Sequence, residues 1–305
     1  MKKNVNIPYI FESLTDVHCM LGLPKPLHPL ISLIENKDDK LDLSNLPQFF
    51  VYNFYKIAYK KNLNGRLKYG QGYYDFDEGG LFFKAPNQLS ANAENNDDYT
   101  GFTMLFHPDF LAGYPLAKKI KQYGFFSYSV NEALHLSEKE RETIILIFKI
   151  IDDELQNRID DFSQDVIISQ IETLLNFSNR FYKRQFITRK STNINLLEKL
   201  EEILEVYFNS EQLVNHGIPT VQFLAEKLNV SPGYLSDMLR SLTGHSAQQH
   251  IHNKLIHKAK ERISVTRLTI SEIAYELGFE HPSSFNKLFK SKTNMSPSEF
   301  RKSFN

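Results

Sequence analysis

The chain has 305 residues, 41% of them apolar and 24% charged, with 36 lysines and arginines against 36 aspartates and glutamates and one cysteine. That length suits two domains rather than a single core. No apolar run approaches the ~20 residues of a membrane span and the start of the chain carries no secretion signal, so a cytoplasmic protein is expected, while the lone Cys19 excludes an intrachain disulfide and a cysteine-based zinc site.

From about Leu30 to Phe106, short apolar and aromatic runs alternate with turn residues, at 49–55, 73–76, 79–83 and 100–106. They predict the strands of a small β-barrel within a domain at 1–136. Its phenylalanines and tyrosines either enclose a small ligand or simply fill the core. His28, His107 and His135 are scattered, so no metal, cofactor or catalytic residue is expected.

Two helical stretches follow over 137–187. Ser137 and Glu140 have the spacing of a capping box, Ile144, Phe148, Ile151 and Leu155 recur at alternating four and three, and Ile167, Ile171, Leu174 and Phe181 continue the theme. Such faces either pair two copies of the chain, as a dimerisation element, or pack on the barrel. Phe181 to Asn193, polar and basic with Lys183, Arg184, Arg189 and Lys190, reads as the way into the next domain. The linker is set at 188–194 and the last domain at 195–305.

The last segment contains an internal repeat. Thr220-Val221-Gln222-Phe223-Leu224-Ala225-Glu226-Lys227-Leu228-Asn229-Val230 aligns with Thr269-Ile270-Ser271-Glu272-Ile273-Ala274-Tyr275-Glu276-Leu277-Gly278-Phe279. Each copy reads as a short helix capped by threonine, with Thr269 and Glu272 forming a capping box that the first copy lacks. Ala225 and Ala274 admit a close second helix, and Asn229 and Gly278 suit one left-handed turn. A second matched helix follows, starting at Pro232 and Pro282, with Leu235, Met238 and Leu239 equivalent to Phe285, Leu288 and Phe289 on the core side. Gly244 and Asn294 again share one left-handed position. Between the copies, 246–264 has Ile251, Leu255, Ile256, Ala259 and Ile263 at helical spacing. A helix of about eighteen residues spans ~27 Å, and with the docked units it bridges the ~34 Å between neighbouring major-groove faces.

Together, Ile270-Ser271-Glu272-Ile273-Ala274-Tyr275-Glu276-Leu277-Gly278-Phe279, Ser284-Phe285-Asn286-Lys287-Leu288-Phe289-Lys290 and Ser296-Pro297-Ser298-Glu299-Phe300-Arg301-Lys302 resemble the signature of the AraC/XylS transcription regulators. The resemblance covers about Asn193 to Phe304. It departs at Asn294, where glycine is usual, at Phe300, where tyrosine is usual, and at His281-Pro282. It implies an α+β chain: an N-terminal cupin-like β-barrel sensor with two following helices, then an all-α domain of seven helices, beginning over 194–209, that contains two helix-turn-helix units. It also implies a homodimeric, non-enzymatic regulator whose partners are double-stranded DNA, a small-molecule effector and RNA polymerase.

On that reading, Ser236, Asp237 and Arg240 of the first unit and Ser283, Ser284, Asn286, Lys287 and Lys290 of the second meet DNA, with Asn286 suited to adenine, Lys287 to guanine and Asp237 to a cytosine amino group. Gly233 offers no reading side chain. The second unit is therefore expected to specify sequence and the first to position the domain. From Gly217 onward there are about twelve basic against about seven acidic residues, roughly +5, leaving roughly −5 for the rest. The histidines His245, His250, His252 and His257 lack the carboxylates or cysteines of a metal site. Two competing classes are a cupin-type enzyme fused to a helical domain and a protein-interaction module with no role on DNA.

Overall fold

In the computed structural model the described residues are 8–37, 45–61, 68–69, 72–73, 79–91, 100–129, 132–157, 160, 162–188 and 190–303. The chain divides into two units, 1–185 and 186–305.

The first unit begins with β1 (Tyr9–Phe11), α1 (Leu14–Met20), β2 (Ile31–Asn36), β3 (Phe49–Tyr52), β4 (Tyr55–Lys60), β5 (Lys68–Tyr69) and β6 (Gly72–Tyr73). It continues with β7 (Gly80–Lys84), β8 (Leu89–Ala91), β9 (Gly101–Phe106), α2 (Leu116–Lys119), β10 (Leu134–His135), α3 (Glu138–Gln156) and α4 (Ser163–Thr188), the last of which runs on past Gln185. The apolar stretch expected as one strand over 49–55 is broken between Tyr52 and Tyr55; the 74–76 part of another lies outside the described residues. A five-stranded antiparallel sheet has the order β10-β7-β4-β9-β2, and a three-stranded sheet the order β1-β3-β8. Among the described residues no strand pairing joins the two sheets into a closed barrel.

Strand alternation gives the larger sheet two unlike faces. Ile57, Leu81, Phe83, Phe102, Met104 and Phe106 form the buried one. Helices cover it: the Phe102 ring stacks on Phe148 of α3 with centroids 5.3 Å apart, and Phe83 meets Phe125 at 4.4 Å and Tyr182 of α4 at 6.3 Å. Burying each such side chain contributes about 1.5–3 kcal/mol. The opposite face holds Lys56, Lys84, Thr103 and Leu105 and turns toward the smaller sheet, where Leu105 packs with Phe50 and Tyr52.

The same packing accounts for the apolar faces of α3 and α4. Ile144, Phe148, Ile151 and Leu155, and Ile167, Ile171, Leu174 and Phe181, are all buried within one chain. The segment expected as a linker, 188–194, holds the end of α4 and the start of α5. Helix α4 continues to Thr188 and α5 begins at Lys190, with Phe181, Tyr182, Gln185 and Phe186 buried rather than on a solvated connector. Arg184 grips Glu140 through two bonds of 3.0 and 2.6 Å, and Glu140 in turn accepts from the Ser137 amide at 2.9 Å, closing the start of α3 as the spacing predicted. Arg189 lies outside the described residues.

In the second unit eight helices follow α4, one more than expected: α5 (Lys190–Phe208), α6 (Gln212–His216), α7 (Val221–Leu228), α8 (Pro232–Thr243), α9 (Ala247–Val265), α10 (Ile270–Glu276), α11 (Pro282–Thr293) and α12 (Pro297–Lys302). The additional one is the single-turn α6. Ala225, Leu235, Met238, Leu239, Ile251, Leu255, Ala259, Ala274, Phe285 and Phe289 are fully buried, and Leu288 half-buried. No described helix is long and apolar enough to cross a membrane.

Candidate DNA-binding interface

The repeat seen in the sequence is a repeat of hydrogen bonds. After α7, Asn229 adopts φ 56° and ψ 41°, its amide donates to the Glu226 carbonyl at 3.2 Å and the Val230 amide reaches back to Ala225 O at 3.0 Å. After α10, Gly278 adopts φ 78°, its amide donates to Tyr275 O at 3.0 Å and the Phe279 amide to Ala274 O at 3.0 Å. Both turns thus satisfy the last carbonyls of the first helix in the same way.

The second helices also end alike. Gly244 and Asn294 are left-handed at φ 77° and 60°, and the hydroxyls of Thr243 and Thr293 each donate to a carbonyl four residues back at 2.8 Å. Ser246 with Gln249 and Ser296 with Glu299 then start α9 and α12 with capping boxes. At α10 the Glu272 carboxylate accepts from the Thr269 amide at 2.6 Å and its hydroxyl at 2.8 Å, bonds that hold its pKa below the usual carboxylate value. Asn229, Gly244, Gly278 and Asn294 and the Thr269–Glu272 box therefore behave as the sequence predicted.

Gly278 has a second task. A Cβ there would stand 2.7 Å from the Leu213 carbonyl oxygen and 2.9 Å from Gly217 Cα, so the turn of the second unit lies backbone to backbone against the end of α6. Tyr207 of α5 fixes that end by donating its hydroxyl to Gly217 O at 2.9 Å.

The two outward faces differ. On α8, Ser236 and Asp237 are half-buried, Arg240 is exposed, and Arg240 Nη1 lies 2.8 Å from Asp237 Oδ1. That ion pair engages the carboxylate expected to accept from cytosine. On α11, Ser283, Ser284, Asn286, Lys287 and Lys290 are all exposed, and among the described residues no hydrogen bond occupies their side chains. Helical spacing puts Ser283, Asn286, Lys287 and Lys290 on one face, opposite Phe285 and Phe289.

Three other ion pairs and one hydrogen bond redistribute the positive charge. Lys254 pairs with Glu205 and Lys258 with Glu261 at 3.2 Å, Arg262 lies 3.4 Å from Glu276, and Lys258 also donates to Asn209 at 2.8 Å. These cations tie α9 to α5 and α10 instead of facing a partner, so the sequence count overstated what is available to phosphates. From Gly217 onward, the described exposed cations without an ion pair are Lys227 of the first copy, Lys260 of α9, and Arg267, Lys287, Lys290, Lys292 and Lys302, so most but not all belong to the second copy and its flanks. The histidines of α9 are used locally, His250 beside the Thr243 hydroxyl at 2.9 Å and His252 beside Gln248 at 2.8 Å. Burial lowers the pKa of both, and among the described residues no group of three or more His, Cys, Asp or Glu is placed to hold a metal ion.

Two helix-turn-helix units joined by the nineteen-residue α9 define a DNA-binding domain. Residues 224–303 match the profile of a family described as a helix-turn-helix domain. The chain is 35% identical over 78 residues to the Arabinose operon regulatory protein of Escherichia coli (strain K12), covering 26% of this chain and 27% of that protein. It is 26% identical over 153 residues to the Msm operon regulatory protein of Streptococcus mutans serotype c, covering 45% and 55%. The chain thus spans less than two thirds of the length of these relatives. Residues 224–303 thus form a helix-turn-helix domain of the AraC type. Among solved structures, the C-terminal domain of the two-component response regulator yesN from Fusobacterium nucleatum subsp. nucleatum is 33% identical with a TM-score of 0.31, covering 35% of this chain and 98% of that one.

Proposed function

We propose that the chain is a sequence-specific DNA-binding transcription regulator, acting in the cytoplasm, in which α11 reads bases and α8 seats the domain on the phosphates. The observation that carries this reading is the contrast between the two faces: Asn286, Lys287 and Lys290 stand exposed and unengaged, whereas Asp237 and Arg240 neutralise each other. Asn286 has the paired donor and acceptor that match adenine, and Lys287 the donor that matches guanine, each worth about 1–3 kcal/mol of base discrimination. Ser283, Ser284 and Ser236 add short hydroxyl contacts.

A modest surplus of free cations gives weak nonspecific binding, so two copies on two half-sites supply the remaining affinity. The first unit, a cupin-like sensor in this reading, takes a small-molecule effector, and the DNA-bound chain contacts RNA polymerase. Selection from random oligonucleotides with the full chain tests the base-reading assignment. Lys287→Ala and Asn286→Ala should each lose preference at one or two base positions while keeping the fold; an unchanged selected site would refute it.

A further inference from the structure

The face of the larger sheet that looks toward the smaller one carries charge that the DNA reading does not use. Lys56 of β4 is the direct register partner of Lys84 of β7, so both ammonium groups leave the same face on adjacent strands. Like charges placed directly opposite each other destabilise a sheet. Both lysines reach toward the smaller sheet: Lys84 Nζ donates to Ser90 Oγ of β8 at 2.7 Å, and Lys56 Nζ stands 5.9 Å from the ring centre of Tyr52 of β3.

Among the described residues neither has a carboxylate partner, although other cations of this unit do, Lys119 with Glu172 at 2.6 Å and Arg184 with Glu140 at 2.6 Å. The charged groups facing Lys56 are Lys84 and Lys60, both positive; burial together with these neighbours brings Lys56 down to about 8, and burial lowers Lys84 too. With a pKa of about 8, Lys56 is still mostly protonated at neutral pH, and among the described residues no anion faces it. Beside them on the same face are Ser32, whose hydroxyl meets His18 Nε2 at 2.8 Å, and the apolar Ala58 and Leu105.

We propose that Lys56 and Lys84 form an anion site between the two sheets that grips the oxyanion, carboxylate or phosphate, of a small ligand, with the Ser90 hydroxyl as a further donor. The proposal rests on the reading of this unit as a sensor and specifies the charge of what it senses. Two ammonium groups on one sheet face converge on an oxyanion as a pair, and the adjacent apolar residues accept the body of an organic ligand.

The test measures the unfolding midpoint of the full chain against inorganic phosphate, acetate and benzoate at constant ionic strength, with chloride as the reference. At about 50 mM, at least one oxyanion is expected to raise the midpoint by about 3 °C in a saturable way. Phosphate alone acting would identify a phosphoryl ligand, and benzoate exceeding acetate an organic acid. The response should fall in Lys56→Met and Lys84→Met, vanish in the double variant, and persist in Lys56→Arg and in the exposed control Lys25→Met. Methionine keeps the length of the stem and removes the repulsion, so these variants should fold; lysine side-chain NMR on the unaltered protein gives an independent readout, the Lys56 pKa rising when the anion binds. No shift beyond chloride with any of the three anions, or an undiminished shift in the double variant, overturns the proposal. Site selection on random DNA by the unaltered chain separates the two readings: intact selection without an anion response defeats only the anion site, and an anion response without sequence selection defeats only the regulator.

Discussion

Replacing Gly278 by alanine tests whether the second helix-turn-helix is held by the backbone contact with α6. At φ 78° an L-residue costs about 1–2 kcal/mol. The added Cβ would also stand 2.7 Å from Leu213 O and 2.9 Å from Gly217 Cα, both backbone atoms that cannot swing aside, which overpacks the site by about 1–3 kcal/mol. Together the loss is about 2–5 kcal/mol, a large part of the ~5–15 kcal/mol that stabilises an ordinary domain. Asn229→Ala is the matched control: that residue has the same left-handed conformation at the same place in the first repeat, but is exposed, so its alanine bears the conformational cost alone. Hydrogen exchange on the full chain, followed in peptides covering 213–217 and 270–278, should accelerate from about thirtyfold to several thousandfold in Gly278→Ala. Asn229→Ala should accelerate exchange around α7 by about tenfold. Equal protection losses in the two variants would refute the argument, because the contact with Leu213 and Gly217 would then contribute nothing.

Two further perturbations probe charge. Asp237→Asn releases Arg240 from its 2.8 Å ion pair, so nonspecific DNA binding should tighten and the slope of log K against log salt should steepen by about one unit; an unchanged slope in a salt titration would mean that Arg240 does not face phosphate. Glu272, held below its ordinary value of 4.5 by the Thr269 amide and hydroxyl, contributes stability that is fully present above that value and lost as pH falls through its lower folded value. Glu272→Gln should therefore be less stable at neutral pH and shallower in its acid unfolding below about pH 5; parallel curves for both proteins would show that the box does not contribute.

What the sequence revealed and what it concealed separate by distance along the chain. The left-handed Asn229, Gly278, Gly244 and Asn294, the Thr269–Glu272 box and the buried face of α9 were legible because each depends on neighbours within about a turn of helix. The end of the first unit was less legible for the opposite reason. Arg184 and Gln185 look like solvated linker residues until their partners are known, and those are Glu140, 44 residues away, and the backbone of Ala133 and His135, 52 and 50 residues away. The heptad pattern of α3 and α4 gave an apolar face without saying what would cover it, and the sheet carrying Phe102 covers it.

The DNA interface shows the same division on a finer scale. Both second helices share a proline start, a buried apolar triplet position and a left-handed end, so the backbone plan alone gives no reason for one copy to read bases and the other not. The difference lies in side chains that the scaffold leaves free to vary. An aspartate three residues before Arg240 was visible in the sequence as a pair at helical spacing, and it is this local neutralisation, rather than the absence of a reading residue at Gly233, that most reduces what α8 offers to DNA. Lys254, Lys258 and Arg262 carry the principle further: each adds to the charge of the C-terminal segment as counted, but each is engaged in bracing α9. Net charge therefore singled out the helix-turn-helix half of the chain for a reason only partly electrostatic, and the free cations around α11 are what the proposal that the second copy reads bases rests on.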